Sequence, residues 1–210
     1  MIGTGSSQGK FTIQIGLINE FKSRFIQTGF LGTEPSSELF GADYTYPMGF
    51  DSSIEPAGKH AVLAVNEIMH RIDLLNKDII ITGSQANTVP LFLGGLRNFP
   101  IVQTEFLYGT QADLFILTVT PDTEWEYIHR TINYAESIFS GKIIALCVFP
   151  FVEKNLWSVT GHRRERPSAE TIDSFCKLLW REFNIPAFSM SDEAMYSHLA
   201  DICLGFLHGE

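Results

Sequence analysis

Apolar residues along the chain fall into two alternating arrangements. Continuous runs rich in β-branched residues stand at 78–82 (DIIIT), 113–119 (DLFILTV) and 142–149 (KIIALCVF). Parallel strands covered on both faces read this way. Shorter runs at 25–29 (FIQTG) and 187–190 (AFSM) predict two more strands. Between the runs, apolar residues recur at helical spacing. Ile13, Leu17, Phe21 and Phe25 repeat every four residues, and Val62, Val65, Ile68, Met69, Ile72 and Leu75 form one stripe over 58–75. Trp125, Ile128, Ile132, Ala135 and Phe139 do the same over 122–139, as do Ile172, Phe175, Leu179 and Phe183 over 168–183. A last helix is expected to start at Ser191, an N-cap residue with Asp192 and Glu193 behind it. On the first helix, Gln14 and Asn19 are expected to face solvent.

Strands alternating with helices predict an α/β fold: a three-layer sandwich with a mainly parallel sheet, and a single domain over 1–210. Two stretches are irregular. Residues 29–56 are punctuated by Gly and Pro, and 150–167 read PFVEKNLWSVTGHRRERP. Loops that follow strand C-termini are where such folds place ligands.

A net charge of −9 disfavours a nucleic-acid partner, which needs a basic face to neutralise phosphates. No apolar run reaches the ~18 residues of a membrane span, and Met1 leads into small polar residues rather than a signal peptide. Cys147, Cys176 and Cys203 lie on apolar faces with no CxxC spacing, which predicts buried free thiols in the cytoplasm. The six histidines form no HxxxH or HExxH pattern, and no GxSxG elbow supports serine hydrolase chemistry.

The chain opens on MIGTGSSQGKFT. Gly3, Gly5 and Gly9, with the small Ser6 and Ser7, let backbone N–H groups close around an anion. The helix that follows points its positive end at the same place, and Lys10 can reach outer phosphates. Gly5, Ser6, Ser7, Gln8, Gly9, Lys10, Phe11 and Thr12 are therefore the candidate phosphate-binding residues. Two features depart from the strict GxxxxGK[ST] pattern. Only Met1 and Ile2 precede the loop where a buried strand should stand, and Phe11 occupies the position of the Mg²⁺-binding hydroxyl, which comes one place later as Thr12.

The stretch GTGSSQGKFT resembles the loop of a bacterial P-loop family associated with D-glutamate N-acetyltransferase. That loop runs Gly-Thr-Asp, three variable residues, Gly-Lys-Met-Thr. FIQTGFLG (25–32), DIIITGSQ (78–85) and FLYGTQADLFILTVTPD (106–122) are similar to later stretches of that family, in order. Within P-loop proteins this branch resembles dethiobiotin synthetase, and the chain is also similar to a group of bacterial peptide maturation system proteins. The resemblance implies a P-loop NTPase-type fold and a ligase or transferase acting on a carboxylate or amine. It implies ATP or a similar nucleotide with Mg²⁺, a site shared across a homodimer, and a position as the C-terminal part of a longer protein. On this reading upstream residues would complete the central strand, which is otherwise very short.

The resemblance also exposes gaps. Related enzymes place a Mg²⁺-binding glutamate at the end of the third strand, where Thr82 aligns. Thr12 is the remaining metal candidate. Among the acids near strand ends (Asp43, Asp51, Asp78, Glu105 and Asp122), Asp51 and Glu105 are the candidates for a replacement ligand or general base, with Lys10 as the catalytic cation. Arg163, Arg164 and Arg166 in TGHRRERP could clamp a phosphate or carboxylate, and Trp157 lies in the same loop. Binding without hydrolysis is favoured over hydrolysis. Two alternatives stand beside the ATP reading: an N-acyltransferase whose loop holds acetyl-CoA, and a non-catalytic scaffold module with a relic loop in peptide maturation. The sequence lacks Asn-Lys-x-Asp, which weakens guanine specificity.

Overall fold

The computed structural model describes residues 1–48, 58–85, 87–90, 101–154 and 163–209, with residues 153, 154, 163 and 208 described by backbone alone. The parallel strands are β1 (Ile2–Gly3), β2 (Thr28–Gly32), β3 (Tyr44–Thr45), β4 (Ile79–Thr82), β5 (Leu114–Val119), β6 (Lys142–Val148) and β9 (Ala187–Ser189). Their pairing runs β3-β2-β4 and β1-β5-β6-β9. The two sheets meet at β1. The Met1 amine donates to the Thr82 carbonyl at the end of β4 (3.0 Å), while Ile2 and Gly3 pair with Leu117 and Thr118 of β5. A small antiparallel hairpin, β7 (Val152–Lys154) with β8 (Arg163–Glu165), stands outside this sheet.

Helices cover both faces. On one side, α1 (Lys10–Ser23) and α6 (Met195–His208) pack Ile13, Leu17, Phe21, Leu199 and Cys203 onto Ile81, Ile116 and Ile144. On the other, α2 (Lys59–Asp73), α3 (Ile101–Thr110), α4 (Trp125–Ile138) and α5 (Ala169–Phe183) bury Val65, Phe106, Ile128 and Leu179 against Leu31, Leu117 and Leu146. This is the expected three-layer α/β/α sandwich with a mainly parallel sheet. The strands read as continuous apolar runs because both of their faces are covered.

Several expectations need correction. The first-helix stripe ends at Phe21. Phe25 lies beyond the helix with φ 61° and is 96% exposed, and β2 begins only at Thr28. The last helix starts at Met195 instead of Ser191, whose hydroxyl accepts from Arg166 (2.9 Å). α3 carries no single apolar stripe: Gln103, Phe106, Leu107, Gly109 and Thr110 are all buried, so periodicity did not reveal it. The irregular stretch at 29–56 contains the end of β2, a 3-10 helix (Pro35–Phe40) and β3. Gln14 is fully buried, whereas Asn19 is exposed. The Gln14 amide donates to the Leu31 (2.9 Å) and Ile81 (3.1 Å) carbonyls, tying α1 to the ends of β2 and β4. All three cysteines are buried and free, as expected. Among the described residues no helix is long and apolar enough to cross a membrane.

Burial lowers the Met1 amine to about 5 from its usual 8, with Lys10 adding to the effect. The folded chain therefore holds this amine neutral between pH 5 and 8, while the unfolded chain protonates it. Stability contributed by this group must rise with pH across that window and be lost as the pH falls through it, at ~1.4 kcal/mol per pH unit. Urea unfolding of the chain beginning at Met1, followed from pH 5 to 8, is expected to show this slope. Nα-acetylation is expected to flatten it.

Candidate phosphate-binding site

Residues 4–9 link β1 directly to α1, and neighbouring strands hold both ends of this loop. The Thr4 N–H donates to the Thr118 carbonyl (3.0 Å), and the Thr4 hydroxyl is within bonding distance of Gln8 Oε1 (3.1 Å). On the other side, the Thr88 N–H donates to the Gly3 carbonyl (2.9 Å), and the Thr88 hydroxyl accepts from the Gly3 N–H (3.2 Å). Ser7 and Gly9 both adopt positive φ, 54° and 76°. Gly9 is the N-cap of α1 and makes no side-chain cap. The first turn of α1 contains no acid, so its free N–H groups and positive end favour an anion.

Ser7 to Thr12 form one wall of a cavity of about 300 Å³, completed by Glu34, Ser84, Gln85 and Phe149. These four come from segments just after β2, β4 and β6, at the C-terminal edge of the parallel sheet, where such folds place ligands. Lys10 is 6% exposed, and its Nζ donates to the Gly5 carbonyl (2.7 Å). Burial lowers its pKa to about 8, opposed by the Glu34 carboxylate. Gln85 Nε2 donates to Glu34 Oε1 (2.6 Å) and to the Thr33 carbonyl (3.3 Å), fixing Glu34 at the rim. The Ser84 hydroxyl is 4% exposed and has no hydrogen-bond partner among the described residues. A buried, unpaired hydroxyl is costly, and an anion or metal-bound water in this cavity would satisfy it.

Sequence-based candidates separate clearly here. Ser7, Gln8, Gly9, Lys10, Phe11 and Thr12 line the cavity; Ser6 is exposed and Gly5 contributes the carbonyl that holds Lys10. Thr12 is exposed at the cavity edge, and Phe11 packs edge-on against Phe40 (5.3 Å). Glu105 does not line the cavity: its carboxylate accepts from the Gly58 N–H (2.7 Å) at the start of α2. Asp43 and Asp78 likewise accept from the Phe30 (2.8 Å) and Gln27 (2.7 Å) N–H groups. Thr82 does not line this cavity and borders a second one at the opposite end of β1. Asp51 and Trp157 lie outside the described residues, and Arg163 is described by its backbone only. The Arg164 guanidinium stands 5.7 Å over the Phe149 ring, at the cavity margin.

Sequence reasoning missed Glu34, Ser84, Gln85 and Phe149. The available signal was their place just after apolar runs. For Glu34 it was obscured because β2 was expected to end at 29 rather than 32. Among the described residues no group of three or more His, Cys, Asp or Glu could hold a metal by itself. A Mg²⁺ ion here would be held chiefly by phosphate oxygens and water, as this ion often is, with Glu34 the one acid among the described residues that line the cavity.

The sequence matches no protein-family model and no curated protein. The fold matches solved structures at low identity. A DUF1611 family protein from Anabaena variabilis superimposes with a TM-score of 0.68 at 14% identity, over 97% of this chain and 56% of that one. A nucleotide-binding protein from Archaeoglobus fulgidus, solved with ADP, gives 0.55 at 14% identity, over 96% of this chain and 85% of that one. The 54 kDa signal recognition particle protein from Aeropyrum pernix, solved with GDP, gives 0.52 at 13% identity, over 99% of this chain and 47% of that one. The chain thus has a P-loop NTPase-type α/β fold and spans little more than half the length of the Anabaena protein.

A Cβ on Gly9 would collide with the Met190 side chain, and φ 76° is strained for any L side chain. Gly9→Ala is expected to destabilise the chain by ~1–3 kcal/mol in urea unfolding. Adding Met190→Ala should relieve the collision but leave the backbone strain, so recovery is expected to be partial.

Proposed function

We propose that the chain is a nucleotide-binding P-loop domain that holds the phosphates of ATP or a similar nucleotide on residues 5–12. The observation that carries this reading is the convergence on one cavity of the α1 N-terminus, the Lys10 ammonium and the unpartnered Ser84 hydroxyl. The Lys10–Gly5 bond is a neutral placeholder. A phosphate oxygen is a stronger acceptor than a carbonyl, so the ammonium exchanges Gly5 for phosphate with little movement. Glu34, fixed by Gln85 through one carboxylate oxygen, leaves the other to hold a Mg²⁺-bound water. Arg164 beside Phe149 adds a second cation at the margin. When bound, Mg²⁺ neutralises the phosphate oxygens.

Phe11 and Thr82, at the positions where related loops bind Mg²⁺, support binding and group activation over rapid hydrolysis. In the full protein we assign the domain to a ligase or transferase that activates a carboxylate or amine, in small-molecule or peptide maturation chemistry. The resemblance of GTGSSQGKFT and the ADP and GDP complexes of the structural neighbours support the nucleotide.

Calorimetric titration with ATP, GTP and acetyl-CoA, each with and without Mg²⁺, tests the reading. Mg²⁺-ATP is expected to bind, and Lys10→Ala to weaken it at least ~10-fold, equivalent to ~1.4 kcal/mol. Binding of acetyl-CoA alone would transfer the site to acyl transfer, and no binding of any of the three would make the loop a relic. Glu34→Gln removes a negative charge near the phosphates, so it is expected to spare Mg²⁺-free binding while reducing the gain from Mg²⁺.

Lys10 must be charged to hold phosphate, and in the free protein it loses its proton near pH 8. Affinity is therefore expected to fall as the pH rises through about 8, by at most ~10-fold per pH unit. Lys10→Arg, which stays charged, should remove that pH dependence in the same titrations.

A further inference from the structure

Tyr46, Gln103 and Ser84 come from three different parts of the chain, and each keeps a buried polar atom with no partner among the described residues: the Tyr46 hydroxyl, the Gln103 amide nitrogen and the Ser84 hydroxyl. Tyr46 and Gln103 are only 4% and 2% exposed. Folded proteins leave few such atoms, and each calls for a physical explanation.

The three are neighbours. β3 leads into Tyr46, whose N–H donates to the Gly32 carbonyl (2.9 Å), and the Tyr46 ring packs near Phe106 of α3 (6.1 Å between centroids). Gln103 stands one turn before Phe106 on the buried face of α3. Its amide oxygen accepts from the N–H of Gln85 (3.2 Å), the residue after Ser84. That bond uses the oxygen and leaves the amide nitrogen, a donor of two hydrogens, unused. Ser84 and Gln85 also line the phosphate cavity, where the Gln85 side chain holds Glu34. The group therefore adjoins that cavity on the side of β3, β2 and β4.

Its chemistry is one-sided. The Gln103 nitrogen can only donate, and the Tyr46 and Ser84 hydroxyls can both donate. Burial, with the Glu105 carboxylate adding to it, raises the Tyr46 pKa, so the phenol keeps its proton. α3 begins beside Gln85 and has no acid in its first turn, so its positive end favours a negatively charged acceptor. A carboxylate accepts at both oxygens and satisfies this set. An amine only donates and would leave the Gln103 nitrogen unpaired.

We propose that Tyr46, Gln103 and Ser84, with the start of α3, form a second site that binds the carboxylate of the molecule to be activated, next to the nucleotide phosphates. The role of that carboxylate rests on the nucleotide reading, whereas the site itself stands on these three side chains. It selects a carboxylate over an amine as the second substrate. Gln85, half-buried and in contact with both sites, is the residue placed to shift when the carboxylate enters.

Magnetic resonance titration of the isotope-labelled chain, without nucleotide, tests the site through the Gln103 side-chain amide and the Gln85 backbone amide. Propionate is the probe, with propylammonium and chloride as controls. Propionate is expected to shift both amides saturably at millimolar concentration, and the controls to shift neither. Tyr46→Phe removes the hydroxyl and keeps the ring beside Phe106. It is expected to leave Tm equal or higher, because it deletes an unpaired buried group, yet to weaken propionate at least ~10-fold, as the loss of a hydrogen bond to a charged group does. Gln103→Glu keeps an oxygen for the Gln85 N–H but turns the donor into an acceptor. At the Gln85 amide this variant is expected to lose the response to propionate and gain one to propylammonium. No saturable shift up to ~0.1 M propionate overturns the proposal, as does an equal response to chloride. A lower Tm in Tyr46→Phe, or unchanged propionate affinity in that variant, overturns it as well. Failure of ATP to bind in calorimetry leaves these outcomes unaffected, so the carboxylate site and the nucleotide reading fail separately.

Discussion

The chain must stop being a strand and become an anion-binding loop within one residue, at Gly3. Pairing of Ile2 and Gly3 in β1 does not by itself hold the loop that follows. Its neighbours do so instead. Thr118 of β5 takes one side of the turn and Thr88 the other, each using both backbone and hydroxyl groups. A side chain on Gly3 would meet the Thr118 hydroxyl and the Lys10 ammonium at once, so the bare backbone there is what lets Lys10 fold inward. The burial of Lys10, its contact with the Gly5 carbonyl and its lowered proton affinity all follow from that packing.

The layered fold was legible because it is written in long apolar runs and in stripes with a clear period. β4, β5 and β6 stand within a residue of their expected bounds, since a strand buried on both faces leaves no polar position to blur its ends. α3 was not legible. It is packed closely on α2, with Gly109 against Val65, and it buries Gln103 and Thr110 beside Phe106, so no stripe survives. Gln14 misled for a related reason. A polar residue on a helix reads as solvent-facing, yet here its amide serves the Leu31 and Ile81 carbonyls at the sheet edge.

The site was legible where it is local in sequence and obscure where it is assembled by the sheet. The loop, Lys10 and the helix start form one continuous stretch, and their chemistry follows from spacing alone. Glu34, Ser84, Gln85 and Phe149 meet that stretch only because parallel strands deliver their C-terminal ends to one edge. Shifting the expected end of β2 by three residues was enough to hide Glu34. Glu105 illustrates the reverse error: an acid near a ligand-edge loop in sequence is spent on the Gly58 N–H of a neighbouring helix.

β1 also separates two cavities, one at each end of the strand. At the C-terminal end the loop leads into α1, whose unsatisfied N–H groups gather with Lys10, Ser84 and Gln85 around one cavity. At the N-terminal end Ile79 to Ile81, Leu114 and Ile116 line the second cavity together with Asp73, Lys77, Asp78 and Asp113. Two paired residues hold the loop in place only because hydroxyl groups supplement the ladder on both sides.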